Sequence, residues 1–86
     1  MFHQIEPRND QWNRKYNFTD ETSVGFIIDF KNGLAFFGWK FSSGVIKFYK
    51  CEQTVFEKRF KITENSVEQP LDPSTKINFL RFPVEM

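Results

Sequence analysis

One histidine and one cysteine are all that this 86-residue chain offers to metal or thiolate chemistry: His3, near the N-terminus, and Cys51, past the middle. A structural zinc takes four such ligands, so no metal is expected. A thiolate–imidazole nucleophile needs the two side chains to meet, and nothing local brings them together. Asp20 and Glu21 are adjacent, and they read as turn residues ahead of a strand rather than as a working pair of carboxylates. The four glycines, at 25, 33, 38 and 44, have none of the spacings that cradle a phosphate. No catalytic residue and no cofactor is assigned, and the chain is expected not to be an enzyme.

What the sequence concentrates instead is aromatic surface. The stretch "LAFFGWKFSSGVIKFYK", residues 34–50, interleaves Phe36, Phe37, Trp39, Phe41, Phe48 and Tyr49 with Lys40, Lys47 and Lys50. Residues 31–61 carry Lys31, Lys40, Lys47, Lys50, Lys58, Arg59 and Lys61 against only Glu52 and Glu57, while both flanks are net acidic. The formal net charge of +1 therefore hides a basic middle, which permits an anionic partner without demanding one.

The elements that must position these residues are mostly strands. Asn32-Gly33 is a preferred two-residue hairpin turn, because both central residues of a type I′ turn need positive φ. Placing the turn there pairs Phe30 with Ala35, Ile28 with Phe37, Phe26 with Trp39 and Val24 with Phe41 on one face. The other face then pairs Asp29 with Phe36, Ile27 with Gly38 and Gly25 with Lys40. "SSG" at 42–44 marks the next turn. An even-numbered loop continues the apolar row by setting Trp39 against Phe48, and places Lys40 opposite Lys47. A three-residue loop sets Lys47 against Trp39 instead; the first register is preferred, since a one-residue slip turns the strand over.

Beyond "CEQ", residues 54–63 read as a further strand, with a short helix as the alternative suggested by Phe56 and Phe60 four apart. Residues 64–75 read as a long loop with two prolines. Residues 73–82 read as a last strand that Pro83 places at an edge, or as a short helix. At the start, "FHQIE" suits a short edge strand, and residues 1–20 as a whole suit a loosely ordered arm. The expected fold is a single all-β domain spanning 1–86, with room for one short helix. Its architecture is an antiparallel meander of five or six strands curled into a barrel or half-barrel.

In this register one sheet face carries Ile27, Phe36, Lys40, Lys47 and Tyr49, a mixture of rings and opposed lysines that needs either cover or a partner. Cover could come from residues 1–20 or 64–75. A partner would use the rings as buried anchors and the lysines to orient an anionic rim. The expected function is non-catalytic macromolecule binding through those five residues. A protein partner comes first, with the chain as a small inhibitor or effector acting by occlusion, immunity-type or phage-encoded by analogy of size alone. Single-stranded nucleic acid, stacked on the same rings, is the alternative, and homo-oligomerisation through the same face is open. No apolar run approaches the ~18 residues of a membrane span. With no leader visible and one cysteine too few for a disulfide, a cytoplasmic setting is expected.

Overall fold

The computed structural model describes residues 2–8, 11–68 and 76–82. Along the chain run β1 (Phe2–Pro7), α1 (Gln11–Lys15), β2 (Val24–Lys31), β3 (Leu34–Lys40), β4 (Ile46–Glu52), α2 (Gln53–Arg59), β5 (Phe60–Val67) and β6 (Phe79–Arg81). The six strands form one sheet in the order β5-β1-β2-β3-β4-β6. Every neighbouring pair is antiparallel except β4 and β6, which run parallel, so the sheet is mixed rather than a pure meander. β5 and β6 are its two edges, and the expected barrel closure is not made among the described residues. No helix among them is long and apolar enough to cross a membrane.

The β2–β3 hairpin turns where expected: Asn32 and Gly33 take φ of 53° and 77°. Near the turn the expected pairs form, Phe30 with Ala35 and Asp29 with Phe36. Beyond them Ile28 is an extra residue, and the register slips by one to pair Ile27 with Phe37, Phe26 with Gly38 and Gly25 with Trp39. The two strand glycines supply the reason. A Cβ at Gly25 would clash with the Trp39 ring, and one at Gly38 with the Phe26 ring. The bulge thus sets each large ring opposite a glycine, where it lies flat across the neighbouring strand.

The second hairpin takes the three-residue loop. The Phe41 N–H donates to the Val45 carbonyl at 2.9 Å, the Gly44 N–H to the Phe41 carbonyl at 2.9 Å, and Gly44 adopts φ 89°. A three-residue hairpin loop ends in such a left-handed residue, and glycine enters that region without a Cβ clash. Trp39 is therefore opposite Lys47, Phe37 opposite Tyr49, Gly38 opposite Phe48 and Lys40 opposite Ile46. The expected opposition of Lys40 and Lys47 does not occur.

Residues 54–63 divide between the two readings of that segment. Gln53–Arg59 is helical, and the strand begins at Phe60, whose φ of −136° and ψ of 161° are extended. Phe56 and Phe60 lie one helical turn apart and both enter the core. β5 then continues through Val67, so residues 64–67, expected as loop, are strand. Residues 69–75 lie outside the described residues, and with them the expectation that this loop covers a sheet face. Of the last segment only Phe79–Arg81 is strand, at the sheet edge; residues 76–78 are neither strand nor helix, and 73–75 lie outside the described residues. β1 is not an edge strand: it pairs with β2 on one side and β5 on the other.

One face of the sheet is packed. Phe18, Phe56 and Phe82 close over Ile5, Ile27, Ala35, Phe37, Trp39, Tyr49 and Cys51, with Phe60 alongside. Phe18 is its hub, with its ring centroid 4.4 Å from Trp39, 5.5 Å from Tyr49, 5.6 Å from Phe60 and 5.4 Å from Phe82. It reaches this position from a tight turn in which Asn17 takes φ 63° and the Phe18 N–H donates to the Asn13 carbonyl. Asn13 is itself buried, and its amide donates to the carbonyls of Arg8 and Arg59, both at 2.8 Å. Those two bonds tie α1 to the end of β1 and to the α2–β5 junction. The N-terminal segment is thereby part of the core, not an arm.

Candidate binding surfaces

The opposite face carries a row of phenylalanines. Phe2 lies stacked on Phe26 at 5.5 Å. Phe26 meets Phe48 edge-on at 6.3 Å, Phe48 meets Phe79 edge-on at 6.1 Å, and Phe79 meets Phe36 edge-on at 5.0 Å. The row thus spans from β1 to β6. Phe26, lying over Gly38, is 1% exposed, while Phe2, Phe36, Phe48 and Phe79 are half-buried. Lys50 stands opposite Phe36 and Lys40 opposite Ile46 on the same face. Arg81 reaches Glu52 at 4.0 Å beside them, an exposed pair of small energetic weight.

A second feature lies on the other side of the sheet, where the turn after α1 meets the β3–β4 loop. A half-open cavity of about 440 Å³ is bounded there by Lys15, Tyr16, Asp20, Phe41, Lys47 and Tyr49. The Tyr49 ring is held edge-on by Phe18 at 5.5 Å and by Phe82 at 5.9 Å. Burial, followed by the neighbouring Tyr16, pushes its phenol up to about 12, so it is an O–H donor at neutral pH. Tyr16 is fixed by the same two rings, stacked on Phe18 at 5.5 Å and edge-on to Phe82 at 4.7 Å. The Lys47 ammonium sits 6.0 Å from the centroid of Phe41. The Asp20 carboxylate is exposed at the cavity mouth. It accepts from the Thr22 N–H at 3.0 Å and the Thr22 hydroxyl at 2.8 Å, and these bonds, helped by the Ser42 hydroxyl, hold it below the usual carboxylate range.

The five residues expected to share one face are divided. Phe36 and Lys40 lie on the phenylalanine face. Tyr49 is 5% exposed and Ile27 7%, both packed in the core, and Lys47 stands on that same side at the rim of the cavity. Lys47 and Tyr49 are therefore brought together, and so are Phe36 and Lys40, but not the two pairs. Ile27 belongs to neither, and borders a shallow apolar hollow with Phe30 and Ile62. The two slips of register, at Ile28 and at Gly44, account for the whole rearrangement. Phe2, Phe26, Phe48 and Phe79 escaped the sequence reading. The signal for Phe26 was present in the paired dipeptides Gly25-Phe26 and Gly38-Trp39, which match ring to glycine only in the bulged register.

His3 lies on β1 and Cys51 on β4, with β2 and β3 between them, so they do not form a thiolate–imidazole pair. Burial also pushes the Cys51 thiol up to about 11, away from the thiolate a nucleophile requires. Comparison of the chain with family models, with curated proteins and with solved structures gives no match.

Proposed function

We propose that this chain is a non-catalytic protein-binding module, and that its partner docks on the phenylalanine face. The observation that carries the reading is the unbroken row from Phe2 to Phe36, half-buried along most of its length, on the side of the sheet opposite the packed core. Rings of this kind supply most of the energy of an interface when a partner completes their burial. Lys40 and Lys50 beside the row select a partner with an acidic rim, fixing orientation more than affinity. The packing of the row favours protein over single-stranded nucleic acid. Three of its four contacts are edge-to-face and the fourth is a stack, so ring faces are already used on one another, whereas base stacking needs a free face. A small inhibitor or effector acting by occlusion fits this arrangement, and a lone reduced, buried thiol fits a cytoplasmic setting.

The test is affinity capture with three forms of the chain: wild type, Lys40→Glu with Lys50→Glu, and Lys47→Glu. A protein held by wild type and Lys47→Glu but lost by the double variant supports the reading. A protein held equally by all three contradicts it. Salt-sensitive binding of a single-stranded oligonucleotide, lost in the same double variant, would move the assignment to nucleic acid.

A further inference from the structure

Among the described residues the exposed large apolar side chains are Phe30, Val45, Ile62 and Leu80. Phe30 and Ile62 border the shallow hollow together with Ile27 and Ile28. Phe56 backs Phe30 edge-on at 5.6 Å and Ile27 is packed in the core, so the hollow is formed before anything enters it. Its rim carries an exposed acid. The Asp29 carboxylate accepts from the Phe30 N–H at 2.8 Å, which fixes its position and leaves its charge in place. The adjoining sheet edge does not invite another strand. The β1–β5 register breaks between His3 and Ile5, and the Asn65 N–H donates to the Thr63 hydroxyl at 3.1 Å. Such an irregularity blunts strand addition, so the hollow suits a side chain rather than a strand.

Val45, the most exposed of the four at 50%, stands in the β3–β4 loop that left-handed Gly44 closes. Its neighbours Ser42, Ser43 and Gly44 are small and exposed, so this tip can enter a concave site. Two residues on, the exposed Lys47 lies 6.0 Å from the Phe41 ring and keeps its positive charge there. We propose that a second copy of this chain fills the hollow: Val45 of one copy enters it, and Lys47 of that copy meets Asp29 of the next. Tip and hollow lie at opposite ends of the seven-residue strand β3, roughly 20 Å apart. A copy therefore cannot fill its own hollow, and the contact is head to tail. Each joined pair still presents one unfilled tip and one unfilled hollow, so assembly continues past the dimer. Phe36, Lys40 and Lys50 take no part, which leaves the phenylalanine face to its own partner.

Sedimentation equilibrium of the full chain, between about 10 μM and about 1 mM, is expected to give a mass that climbs beyond that of a dimer. Val45→Lys and Ile62→Lys, both at exposed positions, are each expected to stay monomeric over that range, with circular dichroism confirming the fold. Mixed in equal amounts, they retain one good tip and one good hollow, and the expected product is a dimer and nothing larger. Lys47→Glu and Asp29→Lys are each expected to weaken assembly about tenfold, and the two changes combined in one chain to restore it. Leu80→Lys is expected to leave assembly unchanged. A wild type that stays monomeric across the range, or whose mass stops at the dimer, would overturn the proposal. So would Val45→Lys assembling like wild type, or an equimolar mixture that stays monomeric.

Discussion

The two faces of this sheet are built from the same material and differ in what covers them. Each sets a ring across a strand glycine: Trp39 over Gly25 on one side, Phe26 over Gly38 on the other. Each assembles phenylalanines into ring-to-ring contact. On the packed face Phe18, Phe56 and Phe82 close over the strands and bring nearly every ring to complete burial. On the open face, among the described residues, the rings cover one another in a single row, of which only Phe26 is fully buried. Aromatic density along a strand therefore does not distinguish core from interface. What distinguishes them is whether another element supplies the second layer.

That contrast is broken or sharpened most strongly at Phe18. Phe18→Ala removes the hub of the packed face and is expected to cost about 3–5 kcal/mol, read from the shift of the urea midpoint. Phe48→Ala, a half-buried ring of the open row, is expected to cost about 1–1.5 kcal/mol, half the value of a fully buried side chain. Equal costs would mean that the two faces are energetically alike.

The glycines give the next comparison. Gly25→Ala forces the Trp39 ring, packed against Phe18 and Phe60, and is expected to cost about 3 kcal/mol, the upper end for overpacking. Gly38→Ala presses on Phe26, whose neighbours Phe2 and Phe48 are half-buried and can give way, and about 1 kcal/mol is expected. Thermal melts of the two variants would show the order, and a reversed order would place the rigid layer on the wrong side.

Alkaline pH separates the faces by charge. Tyr49 and Cys51 both lie on the packed side, with proton affinities raised from 10.0 to about 12 and from 9.0 to about 11. A raised pKa in the folded state means that the unfolded chain loses these protons first. The stability they contribute is complete below about pH 9 and falls as pH climbs toward 12. Urea midpoints between pH 7 and 11 are expected to drop from about pH 9 upward, and Tyr49→Phe should flatten part of that fall. A midpoint independent of pH across this range would contradict the burial of both groups. The smallest effect expected is at the rim of the open face, where Lys40→Glu and Lys50→Glu should each change stability by no more than about 0.5 kcal/mol.

What could be read in the sequence tracks how local the determining chemistry is. The Asn32-Gly33 turn and the pairs next to it were legible because type I′ geometry is written in two residues. The bulge at Ile28 was not, because an inserted residue leaves both strands apolar in either register, and only the opposition of rings to glycines decides between them. At Ser42–Gly44 the apolar match of Trp39 with Phe48 was misleading: left-handed Gly44 closes a three-residue loop and sends Tyr49 inward. β5 extends beyond the expected loop boundary because an edge strand needs only backbone pairing with β1, which "ENSV" supplies despite its polarity. The parallel pairing of β6 with β4 carries no local signal. Of the expected binding residues, Phe36 and Lys40 share the open face because they are four apart on β3, an even spacing that no register slip can undo. Ile27, Lys47 and Tyr49 sit on strands whose register slipped, and each moved to the other side.

The measurement that bears most directly on the division into packed and open faces is urea unfolding of the Phe36→Ser, Phe48→Ser double variant beside Phe18→Ala, with partner capture run on the same samples. The expected result is a folded double variant that loses about 2–3 kcal/mol, less than the single change at Phe18, and no longer retains the protein that wild type captures. A double variant that is unfolded, or that loses more than Phe18→Ala does, would make the open row a second core and contradict its assignment as a docking face.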